Sequence, residues 1–258
     1  MNKATELLDC YRRFLESIPL AKFRAELKDI KWVEQDLYPR ILPLSSLFRN
    51  YWHERSFDDF ETWFEHFWLE LHSNPQSFEE LQRFKKYYFD KDDNGWFKKG
   101  FKARMYRTWV SFLTQLDFCY LFVSACEKQG KTYKLETNAE LDQQGIDFRI
   151  NQIDFQVKKI TQRKEARPSE SGKKRLIIPY AVYDIDDFER RAHSDRVSPE
   201  SKTAYQKSLQ AFLKYFIQLK NGFVVFNENY VTQILDNIEN ESSLRALIKH
   251  ILKELSGE

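Results

Sequence analysis

Glycine is scarce in this chain: seven residues in 258, at positions 95, 100, 130, 145, 172, 222 and 257. With glycines only there, no G-x-G-x-x-G, G-x-x-x-x-G-K-[ST] or G-x-S-x-G can be written, which excludes the glycine-built nucleotide loops and the hydrolase nucleophile elbow. Cysteine is scarcer still. Cys10, Cys119 and Cys126 form no C-x-x-C pair, so a disulfide framework is excluded and buried thiols in a reducing compartment are expected. The five histidines make no H-E-x-x-H, and His66 and His72 lie about 240° apart on a helical wheel, too far round to share a metal. Long hydrophobic runs are also missing. The longest apolar-rich stretch, Phe118 to Cys126, is too short to span a bilayer, and Met1-Asn-Lys-Ala-Thr-Glu6 lacks the apolar core of a signal peptide. A soluble, cytoplasmic protein with no membrane partner is expected. Nor does one sign of charge dominate: 41 Lys and Arg against 39 Asp and Glu leave +2, which by itself indicates no partner.

What is present is an ordinary globular balance, 42% hydrophobic, 31% charged and 16% aromatic. At this length one hydrophobic core is near its size limit, so one compact domain is expected, with a helical region over residues 1–95 and a core with C-terminal helices over 96–258. Apolar residues recur at helical spacing at Leu7, Leu8, Tyr11, Phe14 and Leu15, and again from Phe57 to Leu71. Trp63, Phe64, Phe67 and Trp68 fit packing positions better than base-stacking ones. Pro39 and Pro43 interrupt Tyr38 to Leu44, and Asp90 to Gly95 marks a loop. A long helix is predicted from Trp96 to about Gln129, ending at Lys128 and Gly130. After Gly130 the pattern changes to strands at Thr132–Glu136, Gly145–Ile150, Ile153–Lys158, Arg175–Val182 and Gly222–Phe226, with helices at about Glu200–Leu219 and Val231–Leu255. That order gives an α/β or α+β core.

One constellation carries chemistry. Along Ile153 to Lys158, alternation places Asp154, Gln156 and Lys158 on one face and Ile153, Phe155 and Val157 on the other. On the preceding strand Ile146, Phe148 and Ile150 alternate with Asp147 and Arg149. A hairpin at Asn151 makes the two polar rows coincide, bringing a carboxylate, an amide oxygen and an ammonium to one surface. This set suits metal-assisted phosphodiester hydrolysis. Mg²⁺ prefers carboxylate and carbonyl oxygens and keeps several waters, so Asp147, the Gln156 oxygen and a backbone carbonyl could hold it, with Asp142 at the strand entry as a further carboxylate. Lys158 would position or deprotonate the attacking water, or stabilise developing charge on the phosphate. A polar row on a half-exposed sheet is the plainer reading of the same pattern.

The flanking sequence favours the chemical reading. Lys159, Arg163, Lys164, Arg167, Lys173, Lys174 and Arg175 follow Lys158, with only Glu165 and Glu170 as acidic residues in the same stretch. A positive field beside a candidate metal site suits a polyanion. Arg163, Lys164 and Arg167 are candidates for base readout, and Lys173, Lys174 and Arg175 for phosphates. Arg104 and Arg107, one turn apart on the long helix, either pair with nearby carboxylates or contact phosphates.

Four blocks then carry a resemblance: Val33-Glu-Gln-Asp-Leu-Tyr-Pro-Arg40, Arg104-Met-Tyr-Arg-Thr-Trp-Val-Ser-Phe-Leu-Thr-Gln115, Leu141-Asp-Gln-Gln-Gly-Ile-Asp147 and Gln156-Val-Lys-Lys159. Together they resemble the TaqI-type restriction endonucleases, in order and approximate spacing, over about two thirds of the chain; the C-terminal third shows no such blocks. The resemblance implies a PD-(D/E)xK nuclease core, a central mixed sheet flanked by helices, with an N-terminal helical elaboration. It also implies Mg²⁺-dependent cutting of both strands of double-stranded DNA at the palindrome TCGA, and a cognate DNA methyltransferase. It implies catalytic roles for Asp142, Asp147 and Lys158, with Gln156 in the place where the wider class has Asp or Glu. A palindrome read by identical surfaces further implies a homodimer. The alternatives are a structure- or damage-directed repair nuclease on the same fold, and a non-catalytic DNA-binding module.

Overall fold

The structure, a computed structural model, describes residues 3–88, 95–160, 175–182, 185, 190, 194 and 198–256. Two compact units are present: Arg13–Leu116, and Met1–Arg12 together with Asp117–Glu258. Helices α1 (Lys3–Ser17) and α6 (Trp96–Lys128) each contribute to both.

The unit of residues 13–116 is helical, with α2 (Leu20–Glu26), a 3₁₀ turn at Pro39–Ile41, α3 (Leu44–Phe48) running into a π turn at Arg49–His53, α4 (Phe60–Ser73) and α5 (Pro75–Tyr88). Pro39 sits in the first turn of its 3₁₀ segment, where a missing N–H costs nothing. Helix α4 starts at Phe60 instead of Phe57, because Phe57 has a left-handed φ of 52° and Asp59 caps the helix by accepting the Thr62 N–H at 2.8 Å. Phe60, Trp63, Phe64 and Phe67 are buried, as their spacing predicts. Two buried indoles keep their N–H groups bonded, Trp109 to the Tyr51 hydroxyl at 2.7 Å and Trp63 to the Ser46 hydroxyl at 3.2 Å. The expected Asp90–Gly95 loop lies outside the described residues except for Gly95, whose φ is +83°.

The other unit carries a four-stranded mixed sheet in the order β1-β2-β3-β4: β1 (Leu135–Glu136), β2 (Phe148–Ile150), β3 (Ile153–Lys159) and β4 (Leu176–Tyr180). The first two pairings are antiparallel and β3–β4 is parallel, with Gln156 opposite Ile177 and Lys158 opposite Pro179. Helix α7 (Ala139–Gln143) precedes β2. Helices α8 (Pro199–Tyr215), α9 (Glu228–Asn237) and α10 (Glu241–Ser256), with a two-stranded sheet of β5 (Phe216–Gln218) and β6 (Val224–Phe226), complete it. Phe155 stacks on Phe148 at 5.3 Å and Phe148 on Phe118 of α6 at 4.8 Å, so one sheet face is sealed by aromatic rings. In this same unit Asp117 is fully buried, bonded to Arg12 Nε at 3.0 Å and to the Phe226 N–H at 2.7 Å.

Several element boundaries differ from the sequence expectation, each for a local reason. The first two strands are shorter than expected, β1 beginning at Leu135 and β2 at Phe148, the second because Gly145 belongs to the turn after α7. The helix expected to reach Leu219 stops at Tyr215, because the backbone of Phe216–Gln218 pairs with β6. The C-terminal helix is two helices, since Asn240 accepts the Ser243 N–H at 3.0 Å and caps a new one. Cys119 and Cys126 are buried, but Cys10 is exposed. Helix α6 is long and apolar enough to cross a membrane, but most of its apolar stretch is buried, as in a core helix.

Candidate active site

The site is built on the β2–β3 hairpin. Its turn is Asn151-Gln152, with Asn151 at φ 53°, a conformation Asn tolerates because its short amide bonds the backbone. Here the side chain accepts the Lys134 N–H at 3.1 Å. The register pairs Phe148 with Phe155 and Arg149 with Asp154. Ile146, Phe148 and Ile150 are buried, while Arg149 and Asp154 form an ion pair of 2.6 Å on the opposite face. The two polar rows therefore coincide. Asp154 is consumed by that pair, which leaves Gln156 and Lys158, both half-buried, as the remaining members of the β3 row.

Asp147 enters β2 held by three bonds from two segments. Its N–H donates to the Phe155 carbonyl at 2.9 Å, its carbonyl accepts the Thr137 hydroxyl at 2.8 Å, and its carboxylate oxygen Oδ2 accepts the Val157 N–H at 2.7 Å. Asp142 is not at a strand entry but on α7, a helix capped by Asn138, whose side chain accepts the Leu141 N–H at 2.9 Å. The chain leaves α7 through Gly145, φ +73°, and folds back so that the Asp142 charge acts on Asp147. Loss of water pushes the Asp147 carboxyl well above the ordinary carboxylate range. The Asp142 charge raises it further, against the Val157 N–H, Lys158 and Arg175. Burial lowers the Lys158 ammonium; Asp147 opposes that, and the positive Arg175 adds to it. The hairpin and the α7 turn thus bring Asp142, Lys158 and Arg175 into electrostatic reach of Asp147, with Gln156 two residues along from Lys158.

Arg175 is more embedded than a phosphate contact would require. Its guanidinium donates to the carbonyls of Gly145, at 2.9 Å, and Gln144, and so ties β4 to the turn behind α7. A Cβ at position 145 would lie 2.5 Å from Arg175 Nη1, so the φ of +73° favours glycine there and a larger residue would also displace the guanidinium. Sequence reasoning missed this function of Arg175, and no local signal announces a contact thirty residues away. It also missed α7, although Asn138 ahead of Glu140 and Leu141 is a readable cap.

Among the described residues no three His, Cys, Asp or Glu side chains converge as a metal site. The donor set is instead two carboxylates near one another and an amide oxygen on the adjoining strand. Hard oxygen ligands with room for water suit a divalent cation of the Mg²⁺ kind, and a cation there would relieve the repulsion that raises Asp147.

The other basic residues fall into three groups. Lys159 is exposed at the end of β3. Arg163, Lys164, Arg167, Lys173 and Lys174 lie outside the described residues. Arg104 and Arg107 share Glu34 as their carboxylate partner, and Arg107 also donates to the Ile30 carbonyl at 2.8 Å.

A family model described as TaqI restriction endonuclease matches residues 8–238. The chain belongs to the TaqI restriction endonuclease family. It is 34% identical to the type II restriction enzyme TaqI of Thermus aquaticus over 96% of this chain and 94% of that protein. To the type II restriction enzyme TthHB8I of Thermus thermophilus it is 33% identical, over 95% of this chain and 94% of that protein. No solved structure matches. Membership of the TaqI family extends past the four sequence blocks into the C-terminal third, through α8 and α9.

Proposed function

We propose that this TaqI-family protein hydrolyses double-stranded DNA at the palindrome TCGA, with Mg²⁺ as cofactor, as a cytoplasmic homodimer paired with a DNA methyltransferase of the same specificity. The observation that carries this reading is the meeting of two carboxylates and one lysine of lowered pKa, Asp142, Asp147 and Lys158, beside a parallel strand pair. That is the charge pattern a PD-(D/E)xK core needs, and we assign the sheet to that class.

In this mechanism Asp142, Asp147 and the Gln156 amide oxygen hold the cation. Bound there, Mg²⁺ supplies charge neutralisation at the scissile phosphate and a water of lowered pKa. Lys158 positions the attacking water and presents its ammonium to the charge that develops as the phosphorus–oxygen bond breaks. Val157, through its N–H on Asp147, keeps the carboxylate aimed. Arg175 positions the Gly145 turn between the two acidic residues. Lys159, Lys173 and Lys174 contact phosphates, while Arg163, Lys164 and Arg167 read bases; Arg104 and Arg107 reach the backbone of the DNA through a shared exchange with Glu34.

The test is digestion of a sequenced plasmid by purified protein in Mg²⁺, beside EDTA, Lys158→Ala and a plasmid methylated at the TCGA adenine. Discrete fragments ending at TCGA, lost in all three controls, are expected. Fragments mapping to another sequence would overturn the specificity, and duplex binding without cleavage would overturn the catalytic assignment.

A further inference from the structure

The sheet face that carries Lys158 continues onto β4, where Ile177 and Pro179 stand opposite Gln156 and Lys158. Beside it lies a pocket of about 240 Å³ whose far wall is α10. Arg245, Ile248, Lys249 and Leu252 line it, residues spaced at i, i+3, i+4 and i+7 and therefore forming one stripe of the helix. The adjoining stripe, Leu244, Ile251 and Leu255, is buried together with Ile248 and anchors α10 within the unit. From the sheet side come Lys158, Lys159 and Arg175. Five cations thus surround an apolar floor of Ile177, Pro179, Ile248 and Leu252, and no carboxylate lines the pocket among the described residues.

Cations of one sign crowd together at a cost in self-repulsion, which a polyanion relieves. Arg245 is paired with Glu241 at i, i+4 on an exposed helix face. Such pairs hold little free energy and exchange readily for a phosphate. Continuity with Lys158 then selects the anion: a phosphodiester chain whose scissile group lies at Lys158 must place its neighbouring phosphates within a few ångströms along the same groove.

We propose that α10 is a phosphate clamp, with Arg245 and Lys249 binding backbone phosphates of the duplex next to the scissile one. This rests on the nuclease reading above, and it assigns α10 a substrate-binding task that neither the motif blocks nor the family match covers, since that match stops at residue 238.

The experiment uses the full-length protein and a short fluorescent duplex containing one TCGA, with divalent metal withheld so that anisotropy reports binding alone. Kd is measured across a salt series for the parent, Lys249→Ala, Arg245→Ala and Lys253→Ala. Lys253 is on α10 but does not line the pocket. Each of the first two should weaken binding about fivefold at about 0.15 M salt and lower the log–log salt slope by about 0.9, as one lost phosphate contact requires. The weakening should be equal on a scrambled duplex, because phosphates carry no sequence information. A neutral methylphosphonate placed beside the scissile position should weaken the parent but leave the affinity of Lys249→Ala unchanged. Lys249→Arg should restore the parent slope. Parental affinity and slope in both alanine variants, with a parent that binds and cuts normally in Mg²⁺, would overturn the clamp and leave the nuclease reading standing. A parent that neither binds nor cuts the duplex would overturn both, and an equal loss in Lys253→Ala would replace the clamp by a diffuse field.

Discussion

Asp147 carries its negative charge against two opposing pressures, loss of water and the neighbouring Asp142. Because its folded pKa lies above the unfolded value, protonated Asp147 suits the metal-free fold. That contribution is complete below the ordinary carboxylate value near 4 and is lost as pH rises to the displaced one. Asp147→Asn, whose amide oxygen can still accept the Val157 N–H, should therefore raise metal-free stability at neutral pH by about 1 kcal/mol or more while abolishing cleavage. Thermal unfolding in EDTA at two pH values checks this, and a variant no more stable than the parent at neutral pH would refute it. Asp117 differs in having a cationic partner. Its carboxylate is fully buried and raised by burial, but Arg12 and the Phe226 N–H hold it. Arg12→Ala strands that charge and should cost about 3 kcal/mol in urea unfolding. Recovery of most of the loss in Arg12→Ala combined with Asp117→Asn would tie the cost to the carboxylate.

At the scale of elements, the link from α7 to β2 sets the separation of the two acidic residues. Gly145→Ala forces a left-handed φ on a side-chain residue and drives its Cβ into the Arg175 guanidinium. Stability should fall by about 1–2 kcal/mol. Single-turnover cleavage should fall on the order of tenfold or more, since displaced catalytic groups lose rate steeply. The same link shows what a sequence can convey. The hairpin at Asn151 and the coincidence of the polar rows follow from a period of two and one turn residue, and both are legible. So is α6, whose ends are marked by Trp96 and by Lys128 before Gly130. Asp142 was legible as a carboxylate near Asp147 but not as a helical residue, because five residues suffice for either a strand entry or one turn. The bond from Arg175 to Gly145 joins positions thirty residues apart and leaves no periodic trace. The β5 strand was hidden for another reason: Phe216 and Ile217 continue the apolar spacing of α8, and only pairing with β6 decides their conformation.

For the whole molecule, the proposed homodimer has a kinetic consequence. If each protomer cuts one strand, co-expressed parent and Lys158→Ala chains will form mixed dimers with one working site, and these should nick supercoiled plasmid, so that the open-circular form accumulates. A mixture that yields only linear product at reduced rate would instead indicate one site acting on both strands in turn. The sheet also contains its own means of following such events. The Val157 amide proton is committed to a carboxylate oxygen of Asp147 at 2.7 Å, and its strength as a bond varies with the charge that oxygen carries. One backbone resonance, read in a nitrogen-labelled sample, thereby becomes a gauge of what occupies the acidic pair. Protonation, cation arrival and product departure would each register as a distinct chemical shift, with no label attached to the DNA or to any side chain.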